Sequence, residues 1–496
     1  MSLFTQRIEE LIFDSGETVQ SLAEIGKINR STLQRVKSGE RLPSKTFFSG
    51  MCKALRLSTG EEAELKNLLE METVGRRNYY NRKAIVGLIE TIAELTEHTI
   101  PFSKEIALKN GEALKSTATD GMAIVRGQTN VLRMVENAID CEIFASATPQ
   151  IRQVITYDWD AIYDYIFQQM MGSGKNLILQ DIVSFPQNCS ESEADQSLLA
   201  FKKLAALSLL NNVDYQSRFY YRSSDRPQVD GGVFPYYLLT SDRLITLSKD
   251  LATAVVYWDA GLYQVYDGCF SELLESSNPF IQESRDLFEI YALEEALPMK
   301  HVVEPIPCFA RYYTNEMIEK QLNREFPYFE ALLAAVIPFY DKFRADNKWM
   351  VDVFSLKYLR QFMADGYIYL PEEMVHPFPA EERLHLIKRL HADLVGNERK
   401  CFAINEDRLF MSSAVEFSNE DPTLRLILHY QRGDETIFKH LAINEANIIH
   451  AFDDFFDSLP ASDYVLSKAE TIAGIEAIIR DYSGTEIEAK NESQKS

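Results

Sequence analysis

Positive charge is scarce in this chain: Lys and Arg number 51 against 74 Asp and Glu, a formal net charge of −23 over 496 residues. A chain that acidic repels nucleic acid unless its cations are gathered in one place. The six cysteines (Cys52, Cys141, Cys189, Cys269, Cys308, Cys401) are scattered, with no CxxC pair. That excludes a zinc or disulfide framework as the organising device and reads as reduced thiols. No stretch approaches the ~20 apolar residues of a bilayer span. The opening Met1 to Arg7 reads as a charged amphipathic segment, not a secretory leader, so cytoplasm is the expected compartment. With 21 Gly and 17 Pro, and 46% hydrophobic and 25% charged residues, the composition is that of a globular chain. Single cores stop growing at roughly 250–300 residues, so two to four domains are expected.

The charge is unevenly divided. Residues 1–83 carry 14 Lys/Arg and 11 Asp/Glu, a net of +3, while the other 413 carry 37 and 63, a net of −26. Helix signals punctuate the basic end. Leu3, Ile8, Leu11 and Ile12 fit one face of a first helix, stopped by Asp14-Ser15-Gly16. Thr18 can cap a second helix through Leu22, Ala23 and Ile25. Gly26-Lys27 allows a sharp turn, Asn29 can cap a third helix from Arg30 to Ser38 with Leu33 and Val36 inward, and Gly39 can close it. Pro43-Ser44 opens a fourth, with a buried stripe of Phe47, Met51, Ala54 and Leu55, and Glu61 to Glu72 makes a fifth.

The run Thr18-Val19-Gln20-Ser21-Leu22-Ala23-Glu24, then Ile28-Asn29-Arg30-Ser31-Thr32-Leu33, Gly39, Pro43-Ser44 and Ala54-Leu55-Arg56-Leu57-Ser58, resembles the lambda-repressor-like helix-turn-helix of the Cro/XRE type over about residues 4–72. The pattern departs at three places: the family's turn glycine falls at Lys27, its usual glutamate after the buried Val36 position is Lys37, and its common Gln after Thr18 is Val19. The resemblance implies a bacterial transcription regulator binding a double-stranded DNA operator as a homodimer. Physically, a recognition helix offers its N-terminal residues to base edges while its flanks hold phosphates. Asn29, Arg30, Ser31, Thr32 and Gln34 fall at the reading end, Arg30 being able to reach guanine bidentately. Arg35, Lys37, Ser38 and Arg41 suit phosphate contact. The basic run Arg76 to Lys83 reads either as an extension of that contact or as solvated linker charge.

From about residue 100, strands and helices alternate, as in α/β architecture. Helices are expected over Gln128 to Ile139, Trp159 to Met171, Glu193 to Leu210, Tyr328 to Phe343 (kinked at Pro338), Lys357 to Ala364 and Glu381 to Leu394. Strands are expected at Cys141 to Ser146, Asn176 to Val183, Asp214 to Tyr221 and Met350 to Phe354. An internal duplication shows in Tyr237 to Leu244 against Phe402 to Leu409, each an apolar run with an Asp-Arg turn and a return strand (Ile245 to Leu247; Phe410 to Met411). Tyr266 to Leu273 likewise matches Phe452 to Leu459.

In strand–helix order this body resembles phospholipase-D-like sensor domains, and also the uncharacterised bodies attached to such heads in bacterial regulators. The active phospholipase-D family needs two His-x-Lys elements, and none of the eight histidines has a lysine two places on. Gly172-Ser173-Gly174-Lys175 lacks the earlier glycine and the Ser/Thr of a phosphate loop, so it reads as a helix C-cap turn. His385 and His391, six apart, do not share a helix face as metal ligands would. The aromatic and acidic cluster of Tyr157, Asp158, Trp159, Asp160, Tyr163 and Tyr165 reads as packing before it reads as a pocket.

The expected fold is therefore multidomain: an all-α lambda-repressor-like helix-turn-helix head (residues 1–72), a basic linker and helix (73–99), a duplicated α/β (α+β) body with lobes at 100–305 and 306–485, and a disordered tail (486–496). The expected function is a sequence-specific regulator whose acidic body senses a small-molecule or protein effector. No enzyme activity, cofactor, metal or membrane partner is expected. The alternative is a protein-interaction or phage-defence component whose head only locates it on DNA.

Overall fold

A computed structural model describes residues 2–97, 121–186, 195–222, 232–285, 299–346, 350–368, 370–371, 373–420, 422–432 and 435–493. It separates into two compact units, one of residues 2–83 with Asp195, the other of the described residues from Ala84 onward. The first is helical and the second is built on a large mixed sheet.

The first unit contains α1 (Leu3–Asp14), α2 (Val19–Gly26), α3 (Arg30–Lys37), α4 (Lys45–Leu55), α5 (Thr59–Val74) and the start of α6 (Arg76–Glu97). Ser2, Thr18, Asn29, Ser44 and Ser58 each accept a hydrogen bond from the backbone N–H three residues on, so α1 to α5 all begin on a side-chain cap. Ser58 and Glu61 complete a reciprocal capping box. The core joins Phe4 and Ile8 of α1 with Leu22, Leu33, Val36, Met51 and Leu65. Leu3, expected inside, is 45% exposed; the buried residue of that turn is Phe4. The basic run expected as a linker is the first turns of α6, where Arg77 and Asn81 bind the buried Asp195 carboxylate at 2.8 Å each.

In the second unit the elements run β1 (Met122–Arg126), α7 (Gln128–Ala145), β2 (Gln150–Val154), α8 (Asp160–Gly172), β3 (Leu177–Pro186), α9 (Gln196–Ser208), β4 (Val213–Arg222), β5 (Tyr236–Leu239), β6 (Leu244–Leu247), β7 (Thr253–Tyr257), α10 (Ala260–Ser276) and β8 (Asn278–Ser284). They continue with β9 (His301–Glu304), α11 (Asn315–Gln321), α12 (Phe329–Asp346), β10 (Val351–Phe354), α13 (Leu356–Asp365), α14 (Ala380–Val395), β11 (Lys400–Ala403), β12 (Val415–Glu420), β13 (Thr423–Arg432), β14 (Glu435–Ile443), α15 (Ala446–Ser458) and α16 (Lys468–Ser493).

Among the described residues these strands form one 14-stranded sheet, ordered β1-β7-β6-β5-β2-β3-β4-β8-β14-β13-β12-β9-β10-β11. The order contains one pattern twice. β2, β3 and β4 run parallel, and β5, β6 and β7 follow as an antiparallel meander starting beside β2. β9, β10 and β11 run parallel, and β12, β13 and β14 follow as an antiparallel meander starting beside β9. A helix succeeds each meander, α10 after β7 and α15 after β14. β8 joins the series by pairing antiparallel with both β4 and β14. The second series starts at His301, a few residues before the boundary expected at 305.

Three expectations change. Cys141 to Ser146 is not a strand, because Val131, Val135, Ala138, Glu142 and Ile143 carry the buried helical stripe of α7 to Ala145. Phe402 to Leu409 is not the counterpart of the β5–β6 hairpin: Phe402 and Ala403 end β11, which pairs parallel with β10, and Phe410 and Met411 are outside any strand. The Asp407-Arg408 likeness comes from a local turn in which the N–H of Arg408 donates to the Asn405 carbonyl at 2.9 Å. Finally, the tail expected to lack structure continues α16 to Ser493, in keeping with the helix-forming Glu, Ala and Lys content of residues 486–492.

Candidate nucleic-acid interface

Residues 27–56 hold eight Lys or Arg and one acidic residue, Glu40. The acidic chain therefore concentrates its cations around α3 and α4. Helix α2 ends at Gly26, and α3 starts at Arg30 after a three-residue connection. Two features make that connection tight. Lys27 takes a left-handed conformation (φ 51°, ψ 39°), reversing the chain without the glycine such a backbone favours. Gly26 lies against α4: a Cβ there would stand 2.6 Å from the Gly50 carbonyl oxygen.

Helix α3 buries Leu33 and Val36 and turns its other face outward. Arg30, Gln34 and Lys37, spaced four and three apart, share that outer face. Neither these three nor Arg41, which follows the helix, have a side-chain hydrogen bond or ion pair among the described residues. The remaining expected contact residues serve the helix itself. The Asn29 carboxamide oxygen accepts from the Thr32 N–H at 3.0 Å and from the Ser31 hydroxyl at 2.7 Å. The Ser38 hydroxyl donates to the Arg35 carbonyl at 3.2 Å, and the exposed Arg35 pairs with Glu40 at 3.5 Å. The nine residues thus lie on one helix and its two ends. Four are unengaged, while five already hold the helix in place and keep further donor capacity. Arg77, in the basic run read as a possible extension, is instead tied to Asp195.

The sheet unit buries two carboxylates at matching places, each on the middle strand of a parallel trio. On β3, Asp181 accepts from the hydroxyls of Tyr163 (3.0 Å) and Tyr215 (3.1 Å). Burial pushes this carboxyl up to about 7, against those hydrogen bonds. On β10, Asp352 forms an ion pair with the buried Arg399 guanidinium, which also donates to the Cys308 carbonyl at 2.7 Å. Sequence reading singled out neither Asp181 nor Asp352: an isolated Asp in an apolar strand becomes visible only when its partner, up to 47 residues away, is placed beside it.

The other motifs resolve structurally. In Gly172 to Lys175, the Asn212 side-chain amide donates to the carbonyls of Met170, Ser173 and Lys175, fixing a helix-to-strand turn. Asp242 and Arg243 form an ion pair at the β5–β6 turn, where Thr240 N–H also donates to the Arg243 carbonyl at 3.0 Å. Tyr157, Trp159 and Tyr163 are core residues. Cys52, Cys141, Cys269, Cys308 and Cys401 are free thiols, and Cys189 lies outside the described residues. Among the described residues, no helix is long and apolar enough to cross a membrane, and no group of three or more His, Cys, Asp and Glu side chains could hold a metal ion.

No family model matches the chain, and no curated protein matches it. Among solved structures it is similar to TrmBL2, an archaeal chromatin protein described as showing a novel mode of DNA binding, with 16% identity over 56% of this chain and 94% of that one (TM-score 0.21). It is also similar to the phosphatidylserine synthase of Haemophilus influenzae, with 10% identity over 82% of this chain and 98% of that one (TM-score 0.23). At those scores neither superposition carries an argument about the site.

Proposed function

We propose that the chain is a sequence-specific DNA-binding regulator of transcription. In this reading residues 1–72 are a helix-turn-helix head with α3 in the major groove, acting in a homodimer. The acidic body, lobes 100–305 and 306–485, senses a small-molecule or protein effector and is not an enzyme. The observation that carries the reading is the outer face of α3. Arg30, Gln34 and Lys37 stand together, exposed or half-exposed, opposite a buried Leu33 and Val36, in the basic part of an otherwise acidic chain.

Arg30 and Gln34 are assigned to base edges, Arg as a bidentate partner of guanine and Gln of adenine. Arg35, Lys37, Ser38 and Arg41 hold phosphates, which positions the helix without specifying sequence. Asn29, Ser31 and Thr32 fix the N-terminus of α3, whose free N–H groups and positive dipole end favour a phosphate nearby. The effector acts by favouring dimers whose heads match the operator spacing, through its differential affinity for the two states.

The test selects DNA fragments with the full-length chain and measures binding to the enriched sequence by fluorescence anisotropy. The double variant Arg30→Ala/Gln34→Ala is expected to lose at least tenfold in affinity for that sequence. Unchanged affinity would show that α3 is not the reader.

A further inference from the structure

The two ends of the 14-stranded sheet differ. At β11 the chain that follows covers the outer edge: the Leu466 N–H donates to the Ala403 carbonyl at 2.8 Å, the Ala403 N–H donates to the Thr471 hydroxyl at 3.1 Å, and Ile404 bridges to Val465. At the other end β1 has β7 as its one strand neighbour among the described residues. The phase of that ladder decides which backbone groups are left over. The Gly127 N–H donates to the Ala252 carbonyl and the Trp258 N–H to the Gly121 carbonyl, each at 2.8 Å. In an antiparallel ladder the residues that bond across alternate with those that do not. Gly121, Ala123, Val125 and Gly127 therefore turn their backbone groups to β7, and Met122, Ile124 and Arg126 turn theirs outward. The Arg126 carbonyl accepts from the Asn130 side-chain amide at 3.0 Å. The other outward groups have no hydrogen bond among the described residues.

The side chains of the same residues are uncovered too. Met122 is 41% exposed and Ile124 55%, whereas Ala123 and Val125 are half-buried. An open ladder templates pairing with another chain, so edge strands are usually guarded by a proline, a bulge or a charge in mid-strand. β1 has none of these: its register with β7 is regular, and its one charge, Arg126, stands at its end. The strand is also self-complementary. Laid antiparallel against a second β1 and centred on Ile124, it sets Ile124 opposite Ile124 and Met122 opposite Arg126. Every one of these pairs falls on residues whose backbone groups point outward. The Ile124 pair exchanges both of its N–H···O=C bonds, and each Arg126 N–H donates to a Met122 carbonyl, without calling on the Arg126 carbonyl. The exposed Met122 and Ile124 side chains of both copies then meet on one face, beside Tyr257 and Val255 of β7. β1 holds no acid, so two chains with a net of −26 beyond residue 83 meet here without facing carboxylates on the strand.

We propose that two copies of this chain pair antiparallel through β1, with the two-fold axis at Ile124. This rests on the homodimer of the regulatory reading above and names its contact. The same patch serves both copies, and the covered edge at β11 leaves the sheet no second open end among the described residues, so assembly closes at two. A ladder of five residues a side is small beside a permanent interface, so the dimer is reversible and is favoured on DNA, where two half-sites hold two chains together.

Sedimentation velocity of the full-length protein at rising concentration, alone and with the enriched DNA, tests the pairing. The wild type is expected to pass reversibly from the 56.8 kDa monomer to a dimer. Ile124→Lys, which sets two ammonium groups against each other at an exposed position, is expected to weaken dimerisation at least tenfold and leave the circular dichroism and melting temperature unchanged. Paired Cα atoms of this kind stand about 5.5 Å apart, within disulfide reach, so oxidised Ile124→Cys is expected to give a linked dimer absent from the wild type. Ile124→Cys decides the matter alone if Ile124→Lys alters the fold. A wild type that stays monomeric both alone and on DNA, a dimer that Ile124→Lys leaves as tight as before, or an Ile124→Cys chain that oxidation does not link would overturn the contact. These outcomes separate the two proposals. A dimer insensitive to both changes is held elsewhere and overturns the β1 contact alone, whereas a persistent monomer overturns the homodimer as well. Binding of the enriched sequence stands or falls with the α3 variants and not with β1.

Discussion

Gly26 and Lys27 divide the two demands of the turn before α3, close packing and chain reversal. A methyl at Gly26 meets the Gly50 carbonyl, so Gly26→Ala is expected to cost the head about 1–3 kcal/mol in urea unfolding, the usual range for forcing extra volume into a packed contact. At Lys27 the left-handed backbone burdens any side chain, and Lys27→Gly is expected to raise head stability by about 0.5–1 kcal/mol. Asp181 and Asp352, both buried in the sheet, should answer mutation in opposite ways. The unfolded Asp181 carboxyl ionises near pH 4 and the folded one near about 7, so its contribution is complete below pH 4 and lost as pH rises through 7. Asp181→Asn, whose amide oxygen can accept from the same two tyrosines, is therefore expected to be the more stable protein at pH 8, by up to about 4 kcal/mol, with the gap closing toward pH 4 in denaturant titrations. Asp352→Ala instead strands the Arg399 charge in the core, and a loss of about 3–5 kcal/mol is expected at every pH from 5 to 8.

At the scale of elements, α3 was legible because its signals are local: a capping Asn29, a closing Gly39 and two inward residues between outward cations. The phosphate contacts proposed for it are separable in the same way. Lys37→Ala should weaken binding about equally for all DNA sequences and reduce the salt slope by about one, whereas Arg30→Ala should relax preference at one base position. The long helices α8, α12, α13 and α14 were also legible from periodicity, and β3, β4 and β10 from their apolar runs. The errors share one cause. Cys141 to Ser146 is apolar enough for a strand, yet it continues the stripe of α7; six residues cannot display which period they belong to. The Asp-Arg resemblance at 407–408 is turn chemistry, which recurs wherever the chain reverses and says nothing of pairing. The true repeat, three parallel strands followed by a three-strand meander, lies in pairing between distant segments, and no local residue encodes it.

For the whole molecule, the net charge of −23 conceals a basic segment inside an acidic chain. In the proposed reading the acidity of the body limits nonspecific attraction to DNA and leaves contact to the few cations around α3. That distribution makes the central claim measurable without knowing the effector. The logarithm of the affinity for the enriched DNA sequence, measured between 50 and 200 mM salt, falls with a slope of about −0.9 per phosphate neutralised. With Arg35, Lys37 and Arg41 assigned to phosphates, the expected slope is about −3 for each head engaged. A slope near zero, or one unchanged when Arg35, Lys37 and Arg41 are replaced together by Ala, would contradict the assignment of this helix to DNA.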